Sequence, residues 1–327
     1  MMEEIERILK ERRKQIEKEL ENAIPRNGMA NLNDAVWYHL DSGGKRIRPV
    51  LAILTCEALG GDVQKVMPFA AACELLHSWF LVHDDIEDGD RVRRDRPAVW
   101  VRYGLAHGIN IGDFMSEKVY EIVVNSGLDV KTKLTLVSEI AETCVKTAEG
   151  QAMDMNLRRE RNPKEADYME MVKLKTAWYF TLPMVGGAIV AGRRDLTGKI
   201  KAFGMKVGPA FQIADDLLDL TKGKGRGEIG SDIKEGKRSI MAVHCASKCS
   251  ESERRRMFGI LDKARGKTSR KDILYMKALF EKYRSLDYAR GRARSLAEEG
   301  RIISSSLPSG LGNILEGFAE YLVERKN

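Results

Sequence analysis

Nearly the whole chain carries hydrophobic residues at the three- and four-residue spacing of an amphipathic helix. In residues 2–23, Ile5, Ile8, Leu9, Ile16 and Leu20 follow this spacing, which predicts a first helix. The same pattern predicts helices at about 31–40, 47–59, 62–88, 105–125, 130–158, 165–191, 194–221, 238–249, 252–264, 269–302 and 311–325. The sequence shows no convincing strand alternation, and only 8 of its 327 residues are prolines. It therefore predicts a single all-α domain over residues 1–327.

Amino-acid composition and charge limit the kinds of molecule that the protein is expected to bind. Hydrophobic residues make up 43% of the chain and charged residues 31%, a balance typical of globular proteins rather than disordered ones. The net charge of +7 suits nucleic acid, an anionic membrane or phosphorylated small molecules. Basic residues are mostly interleaved with acidic ones, as in ERRKQIEKELE at 11–21, and no basic–aromatic stripe or RNA-binding motif is visible. We therefore expect phosphorylated small molecules and no nucleic acid.

The cysteines and the apolar segments predict a cytoplasmic location. The five cysteines are odd in number and scattered, which argues against a disulfide framework and for a reducing compartment. The first fifteen residues are charged throughout and lack the apolar region of a secretory signal. The most apolar stretch, Thr176–Gly192, is shorter than the roughly 20 residues that a membrane span needs. We expect a buried helix there and no transmembrane segment.

The motif D-D-x-x-D occurs twice, each time at the end of an apolar helical segment. The two copies are Asp84, Asp85 and Asp88, and Asp215, Asp216 and Asp219. Residues i and i+4 lie one helical turn apart, so each copy gathers carboxylates whose repulsion a cation would relieve. Magnesium suits such a cluster, because it combines carboxylate ligands with phosphate oxygens of a substrate. One acidic helix end is commonly just solvated surface, but two copies favour a magnesium site.

Basic segments accompany both motifs. They are GGKRIRP at 43–49, RVRRDRP at 91–97, Lys175-Thr176 and DIKEGKR at 232–238. The first places a glycine turn before a predicted helix N-terminus, which is a usual position for an anion. The arginines of the second can each donate two parallel hydrogen bonds to a phosphate. Together with magnesium, these segments predict binding of a diphosphate.

Taken in order, these segments resemble the trans-isoprenyl diphosphate synthases (polyprenyl synthetases) of the short-chain farnesyl and geranylgeranyl type. The matching segments are GGKRIRP at 43–49, ELLHSWFLVHDDIEDGDRVRRDRP at 74–97, GD at 112–113, GQAMD at 150–154, KT at 175–176, FQIADDLLD at 211–219 and GSDIKEGKRS at 230–239. The uninterrupted DDIED and the EGKRS loop resemble the archaeal geranylgeranyl branch. The resemblance implies an all-α, isoprenoid synthase-type bundle of antiparallel helices around a deep central cavity. It also implies a homodimer.

The resemblance implies a head-to-tail prenyltransferase. Such an enzyme condenses isopentenyl diphosphate with an allylic diphosphate (dimethylallyl, geranyl or farnesyl) and releases diphosphate. The product would be an all-trans farnesyl or geranylgeranyl diphosphate. Three Mg²⁺ ions per active site would stabilise the departing diphosphate, and the released diphosphate would accept the proton.

The resemblance also implies roles for individual residues. The magnesium ligands would be Asp84, Asp88 and Asp215, supported by Asp85, Asp216 and Asp219. The allylic diphosphate would be bound by Arg93, Lys175 and Lys237, and isopentenyl diphosphate by Lys45, Arg48, His77 and Arg94. Lys175, Thr176 and Gln212 would lie beside the reacting carbons, and the bulk of Trp79 and Phe80 would limit chain length. A helical wheel places His77 and Phe80 near the face of the aspartates and Trp79 about 100° further round.

Three positions depart from the family pattern, and two other functions stay open. Glu228 stands where the family usually has a lysine, Asp95 where it commonly has glycine, and the segment 114–118 is bulkier and more charged than usual. One alternative is a terpene cyclase, which would lack GGKR and the arginine pair. The other is a non-catalytic regulatory subunit of a heteromeric prenyl synthase, which Glu228 favours and the two intact motifs oppose.

Overall fold

The computed structural model describes residues 2–221 and 229–324, and most of them lie in helices. The α-helices are α1 (Met2–Ala23), α2 (Asn33–Leu40), α3 (Ile47–Ala58), α4 (Val63–Glu87), α5 (Val99–Tyr103), α6 (Leu105–Val124), α7 (Val130–Leu157), α8 (Glu165–Val172), α9 (Trp178–Val190), α10 (Thr197–Asp219), α11 (Ser231–Lys234), α12 (Ile240–Lys248), α13 (Glu251–Leu261), α14 (Arg270–Lys282), α15 (Ser285–Ser304) and α16 (Ser309–Glu324). A π-helical segment, Lys173–Ala177, joins α8 to α9, and Arg194–Leu196 and Arg265–Lys267 are short 3₁₀ helices. The prediction of an all-α fold is confirmed.

A short hairpin corrects the expectation that the chain has no strands. Strands β1 (Val92–Arg93) and β2 (Arg96–Pro97) pair antiparallel, with Val92 opposite Pro97. Each strand has two residues, too few to show the alternation from which strands are predicted. The turn residues Arg94 and Asp95 have φ of 53° and 60°, the left-handed values of a type I′ turn.

The predicted helix over residues 269–302 is also wrong as a single element. The chain leaves helical geometry between α14 and α15, where Arg284 has a φ of 54°. A left-handed residue ends a helix even where the hydrophobic pattern continues, because it turns the next residues off the helix axis. Residues 269–302 therefore form two helices rather than one.

The described chain divides into two compact units. The first comprises the chain up to Thr143 together with Tyr179–Ala202 and Ile303–Phe318. Within this unit α4 is largely buried, and Gly186 of α9 leaves room for the ring of Phe69, which a Cβ at Gly186 would approach to 2.0 Å. The predicted buried apolar helix is confirmed, since every residue of Phe180–Ile189 is buried.

A buried ion pair joins the loop before α3 to the middle of α4. Arg46 has a φ of 53°, and both Arg46 and Glu74 are 3% exposed. One guanidinium nitrogen lies 2.5 Å from a carboxylate oxygen of Glu74, and another donates to the carbonyl of Leu40 at 2.6 Å. This pair fixes the loop that carries Lys45 and leads into Arg48.

The second unit comprises Cys144–Trp178, Phe203–Ile302 and the chain from Ala319. Its core includes Tyr168 of α8, Ile213 of α10, Met241 of α12 and Phe280 of α14, which are each at most 2% exposed. The prediction of one domain over residues 1–327 stays a prediction.

Among the described residues, α4 is the one helix whose length and apolar composition would allow it to cross a membrane. Its most apolar 18-residue stretch is 67% buried inside the structure, and helices in a protein core commonly have the same length and composition.

Replacing Glu74 by Met leaves Arg46 buried without its acidic partner. We expect the free energy of unfolding to fall by about 3 kcal/mol, because removing one partner of a buried pair strands the other charge. Urea unfolding followed by circular dichroism measures the change. The control is Glu11→Met, which removes one partner of the Arg7–Glu11 pair, 65% and 58% exposed, and should cost under about 1 kcal/mol. Equal losses in the two variants would contradict a stabilising role for the buried pair.

Candidate active site

The first aspartate motif lies at the end of α4, and Arg93 of β1 lies against it. Asp84 is half-buried, whereas Asp85 is 1% and Asp88 7% exposed. Arg93 donates its Nε to a carboxylate oxygen of Asp85 at 2.8 Å, and its Nη2 lies 3.7 Å from Asp84. Burial raises the pKa of Asp85 to about 6, although the Arg93 guanidinium lowers it. The arginine predicted to bind a diphosphate thus also offsets the charge of the motif.

The donor atoms of this motif fit a divalent cation. The second carboxylate oxygen of Asp85, Oδ2, is buried and has no hydrogen-bond partner among the described residues. Carboxylate oxygens of Asp88 and of the fully buried Asp90 lie within 4.8 Å of each other. Several hard oxygen donors close together are what magnesium requires. Sequence analysis missed Asp90, which stands two residues beyond the motif.

The hairpin turn places Arg94 against the glycine loop at residues 43 and 44. Arg94 donates to the hydroxyl of Ser42 at 3.2 Å and to the carbonyl of Gly43. A Cβ at Gly44, whose φ is 123°, would lie 2.9 Å from the Arg94 guanidinium. Burial lowers the pKa of Arg94 to about 10. Arg94 therefore lies beside the loop that carries the exposed Lys45, as predicted residues of one binding region should.

Three of the predicted site residues pack against the ring of Tyr179. The guanidinium carbon of Arg48 lies 4.4 Å from its centroid, His77 stacks on it at 5.9 Å, and Phe80 meets it edge-on at 5.5 Å. Burial, followed by the charges of Arg48 and Arg94, holds the pKa of His77 well below its usual value. His77 is therefore neutral at pH 7. Sequence analysis missed Tyr179, because an aromatic residue in an apolar helix is normally a core residue.

Trp79 lies on another side of α4 from Phe80. Its indole nitrogen donates to Nδ1 of His83 at 3.2 Å, and Nε2 of His83 lies 3.2 Å from the carbonyl of Ile109 in α6. A Cβ at Gly112 would lie 2.0 Å from the His83 ring, so only glycine fits there. His83 thus directs Trp79 toward α6, whereas Phe80 faces Tyr179. This difference follows the helical wheel.

The second aspartate motif lies at the end of α10, and two of its carboxylates accept hydrogen bonds from the chain. Asp216 accepts from the hydroxyl of Tyr168 at 2.8 Å and from the amide of Gln212 at 2.9 Å. Asp219 accepts from the hydroxyl of Ser231 at 2.6 Å and from the backbone N–H of Asp232 at 3.1 Å.

The three carboxylates of the second motif differ in exposure. Asp219 is fully buried and accepts from the backbone N–H groups of Ser231 and Asp232 at the start of α11. Asp216 is 6% exposed, whereas Asp215 is half-buried and is therefore more accessible to solvent.

Lys175 and Thr176 lie in the π-helical segment. Lys175 donates to Asp154 at 2.7 Å, and the hydroxyl of Thr176 donates to Gln212 at 2.9 Å. Two glycines leave room for this segment. A Cβ at Gly150 would lie 2.2 Å from the backbone nitrogen of Lys175, and a Cβ at Gly208 would lie 2.6 Å from Ala177. Single-turn π segments occur frequently at functional sites. Sequence analysis missed the segment, because a search for helical periodicity does not resolve one added residue.

Lys237 lies in a loop that Arg238 holds in place. Lys237 lies 2.6 Å from a carboxylate oxygen of Glu235. Arg238, 2% exposed, donates to the carbonyl of Gly236 at 2.9 Å and to Asp262 at 2.6 Å. Glu228, where the chain departs from the expected family pattern, lies outside the described residues.

Comparison with known proteins decides the family. The model of the polyprenyl synthetase family matches residues 29–278. The chain belongs to this family. The predicted family and the predicted class of enzyme, a prenyltransferase, are confirmed.

Relatives and solved structures support the assignment over nearly the full chain. The short chain isoprenyl diphosphate synthase of Methanothermobacter thermautotrophicus is 36% identical over 296 residues, 88% of each chain. The geranylgeranyl pyrophosphate synthase of Geoglobus acetivorans is 34% identical over 327 residues, 98% of this chain and 99% of the relative. The structure of geranylgeranyl pyrophosphate synthetase from Pyrococcus horikoshii superposes with a TM-score of 0.90 at 32% identity and covers 99% of both chains.

The hairpin turn holds Asp95, at the position where the resemblance predicts glycine, in a left-handed conformation. A φ of 60° favours glycine, and aspartate is among the few other residues that tolerate it. We expect Asp95→Gly to keep or slightly raise the melting temperature. Asp95→Val should lower the free energy of unfolding by about 1–2 kcal/mol, because a β-branched side chain is strained there. Thermal and urea unfolding measure both, with the Asn125→Val variant at an exposed right-handed position, φ −84°, as the control. Equal losses at the two positions would refute the account.

Proposed function

We propose that this polyprenyl synthetase condenses isopentenyl diphosphate head-to-tail with an allylic diphosphate to give an all-trans, short-chain prenyl diphosphate. The observation that carries the proposal is the pair of carboxylate clusters, each at the end of a helix, with the guanidinium of Arg93 against the first. Both motifs keep all their carboxylates, which opposes the regulatory-subunit alternative. The names of the relatives favour geranylgeranyl diphosphate as the product.

The aspartates would hold magnesium, three ions per active site, and the cations would hold the allylic diphosphate. Magnesium supplies positive charge that neutralises the departing diphosphate. Arg93, Lys175 and Lys237 each contact a carboxylate of the chain, which fixes where their charges lie. Binding a diphosphate then needs little reorganisation of these side chains, which favours electrostatic stabilisation of the leaving group.

Isopentenyl diphosphate would be bound by Lys45, Arg48, His77 and Arg94. Arg48 and His77 share the ring of Tyr179, and Arg94 lies on the glycine loop that carries Lys45. A neutral His77 can donate one hydrogen bond to a phosphate oxygen without adding a charge. The arginines supply the bidentate contacts that orient the substrate.

The proposed reaction breaks one bond before it forms another. The carbon–oxygen bond of the allylic diphosphate breaks, and diphosphate leaves with the electron pair. The double bond of isopentenyl diphosphate then forms a carbon–carbon bond with the allylic carbon, and loss of a proton to the released diphosphate gives the new double bond. Oxygen atoms of Thr176 and Gln212 and the carbonyl of Lys175 would stabilise the positive charge between these steps.

Replacing a magnesium ligand tests the metal assignment. We expect Asp84→Ala and Asp215→Ala each to lower turnover by at least about a hundredfold, because magnesium stabilises the leaving group by several kcal/mol. A coupled assay of diphosphate release, over a titration of magnesium, measures it. The control is Asp195→Ala, an exposed carboxylate paired with Arg193, which should keep parental turnover. Near-parental turnover of either motif variant at saturating magnesium would refute the assignment.

The length of the product depends on what the growing chain meets beyond the first motif. Phe80 lies one helical turn before Asp84, about 6 Å along α4, and is half-buried against Tyr179. Trp79 lies at 4.8 Å from the ring of Phe80 but is held toward α6 by His83. We therefore propose that both aromatics limit chain length, Phe80 directly and Trp79 by supporting it.

Removing the Phe80 ring should lengthen the product. We expect Phe80→Ala to shift products by at least one isoprene unit, since the lost ring leaves space for an apolar chain. Trp79→Ala should shift them less, and the double variant most. Chromatography of the dephosphorylated products, from reactions run where circular dichroism shows the variants folded, measures the lengths. Parental products from folded Phe80→Ala would place the limit elsewhere.

The homodimer is a further part of the proposal, and an exposed stripe on α7 supports it. The stripe residues recur at alternating spacings of four and three: Leu134, Ser138, Ala141, Val145, Ala148, Ala152 and Met155. Leu134 is 69% and Val145 56% exposed. Apolar residues repeated at this spacing suit packing against another helix, and a second copy of the chain supplies the same stripe.

Charges placed in the stripe should disrupt the dimer. We expect the double variant Leu134→Lys, Val145→Lys to sediment as a monomer where the parent sediments as a dimer. The control is Leu274→Lys on α14, 57% exposed, which should stay dimeric. A dimer in the double variant, or a monomeric parent, would contradict the proposal.

We also infer a cytoplasmic location. All five cysteines lie in the described part of the chain, and no disulfide bond joins them. Reduced cysteines suit the cytoplasm. Fractionation of cells that produce the tagged chain tests this.

A further inference from the structure

Four side chains of the second unit form a continuous hydrogen-bonded row. The hydroxyl of Tyr168 lies 2.8 Å from one oxygen of Asp216, and Nε2 of Gln212 lies 2.9 Å from the other. The row continues from Oε1 of Gln212 to the hydroxyl of Thr176 at 2.9 Å. Tyr168, Asp216 and Thr176 are 1%, 6% and 2% exposed, so water competes little for these bonds.

The hydrogen bonds of the row all run in one direction, toward Asp216, as the donors and acceptors of the row require. A carboxylate only accepts hydrogen bonds, so Tyr168 must donate its proton and Gln212 must turn its amide nitrogen toward Asp216. The carbonyl oxygen of Gln212 then faces Thr176, and it too can only accept. The hydroxyl of Thr176 must therefore donate its proton to Gln212, so its oxygen lone pairs point away from Gln212.

We propose that Tyr168 is a positioning residue that, through Asp216 and Gln212, fixes the direction of the Thr176 hydroxyl so that its oxygen lone pairs rather than its proton face the allylic positive charge. This inference rests on the proposed function. A hydroxyl rotated the other way would direct its positive end at the developing cation and raise the barrier to ionisation. Through the row, the buried carboxylate fixes the orientation of the Thr176 hydroxyl dipole near the reacting carbon.

Tyr168 suits this role because it is held rigidly. Its ring lies in the core of the second unit with Ile213 and Met241, and its hydroxyl lies 2.8 Å from Asp216. Without the Tyr168 hydroxyl, Asp216 loses this hydrogen bond, and its carboxylate is held less firmly against Gln212.

A double-mutant cycle tests whether Tyr168 acts through Thr176. Tyr168→Phe should lower kcat about tenfold, the loss typical of one hydrogen bond to a charged group, and leave KM for geranyl and isopentenyl diphosphate within about twofold. In a Thr176→Val background, which has no hydroxyl to direct, the same change should lower kcat less than about twofold. In a Thr176→Ser background, which keeps the hydroxyl, the tenfold effect should return. Equal effects of Tyr168→Phe in the Val and Ser backgrounds would overturn the inference.

Tyr283→Phe is the matched control. Tyr283 also donates to a carboxylate, that of Glu253, at 2.6 Å, and it lies outside the row. It should leave kcat at the parental value. A tenfold loss in this variant would show that any lost tyrosine–carboxylate bond lowers kcat, which also overturns the inference.

A second measurement detects the hydrogen bonds of the row without measuring enzyme turnover. In a nitrogen–proton correlation spectrum, the Gln212 side-chain amide is assigned by its loss in Gln212→Met. We expect one proton of this amide to lie downfield and exchange slowly in the parent, to move upfield in Tyr168→Phe and to stay in place in Tyr283→Phe. An unchanged signal in Tyr168→Phe would overturn the inference. A parent that forms no product would instead refute the proposed function, while the amide signal would still decide the direction of the row.

Discussion

Repulsion between neighbouring carboxylates is the constraint to which both units respond. Each D-D-x-x-D motif collects three acids within about one helical turn, and Asp90 adds a fourth to the first. The first unit offsets this charge with a guanidinium, because Arg93 contacts Asp85 and lies near Asp84. In the second unit, neutral donors bond to two of the acids, since Tyr168, Gln212 and Ser231 donate to Asp216 and Asp219. Both arrangements orient the carboxylates before any cation arrives.

The guanidinium beside the first motif and the neutral donors beside the second suit different tasks. A guanidinium beside the first motif is itself a phosphate-binding group, so it can serve the substrate as well as the acids. Hydroxyl and amide donors beside the second motif have direction, so they can pass the orientation of a carboxylate to a more distant atom such as the Thr176 oxygen. The hairpin carries Arg93, and the π-helical segment carries Thr176, so irregular backbone positions a donor in each unit.

The sequence predicted the helices well because hydrophobic periodicity over ten or more residues is a strong signal. It could not predict the hairpin at 92–97, whose strands are too short to alternate, nor the added residue of the π-helical segment. The break at Arg284 was missed because the hydrophobic pattern runs on through it. Among site residues, the motifs located the aspartates and the cations, but the roles assigned to them stay predictions. Tyr168 and Tyr179 were missed, because partners of a motif residue come from distant parts of the chain and only folding brings them near. Asp90 was missed because it lies outside the D-D-x-x-D pattern, although it stands two residues beyond the first motif.

The buried pair of Arg46 and Glu74 has a consequence for temperature. Charged groups are hydrated with a large loss of entropy, so the free energy needed to remove them from water falls as temperature rises. A fully buried ion pair therefore contributes more to stability in hot water than in cold. The loop that carries Lys45 and leads into Arg48 is tied to α4 by this contact, and heat weakens that contact less than it weakens most others.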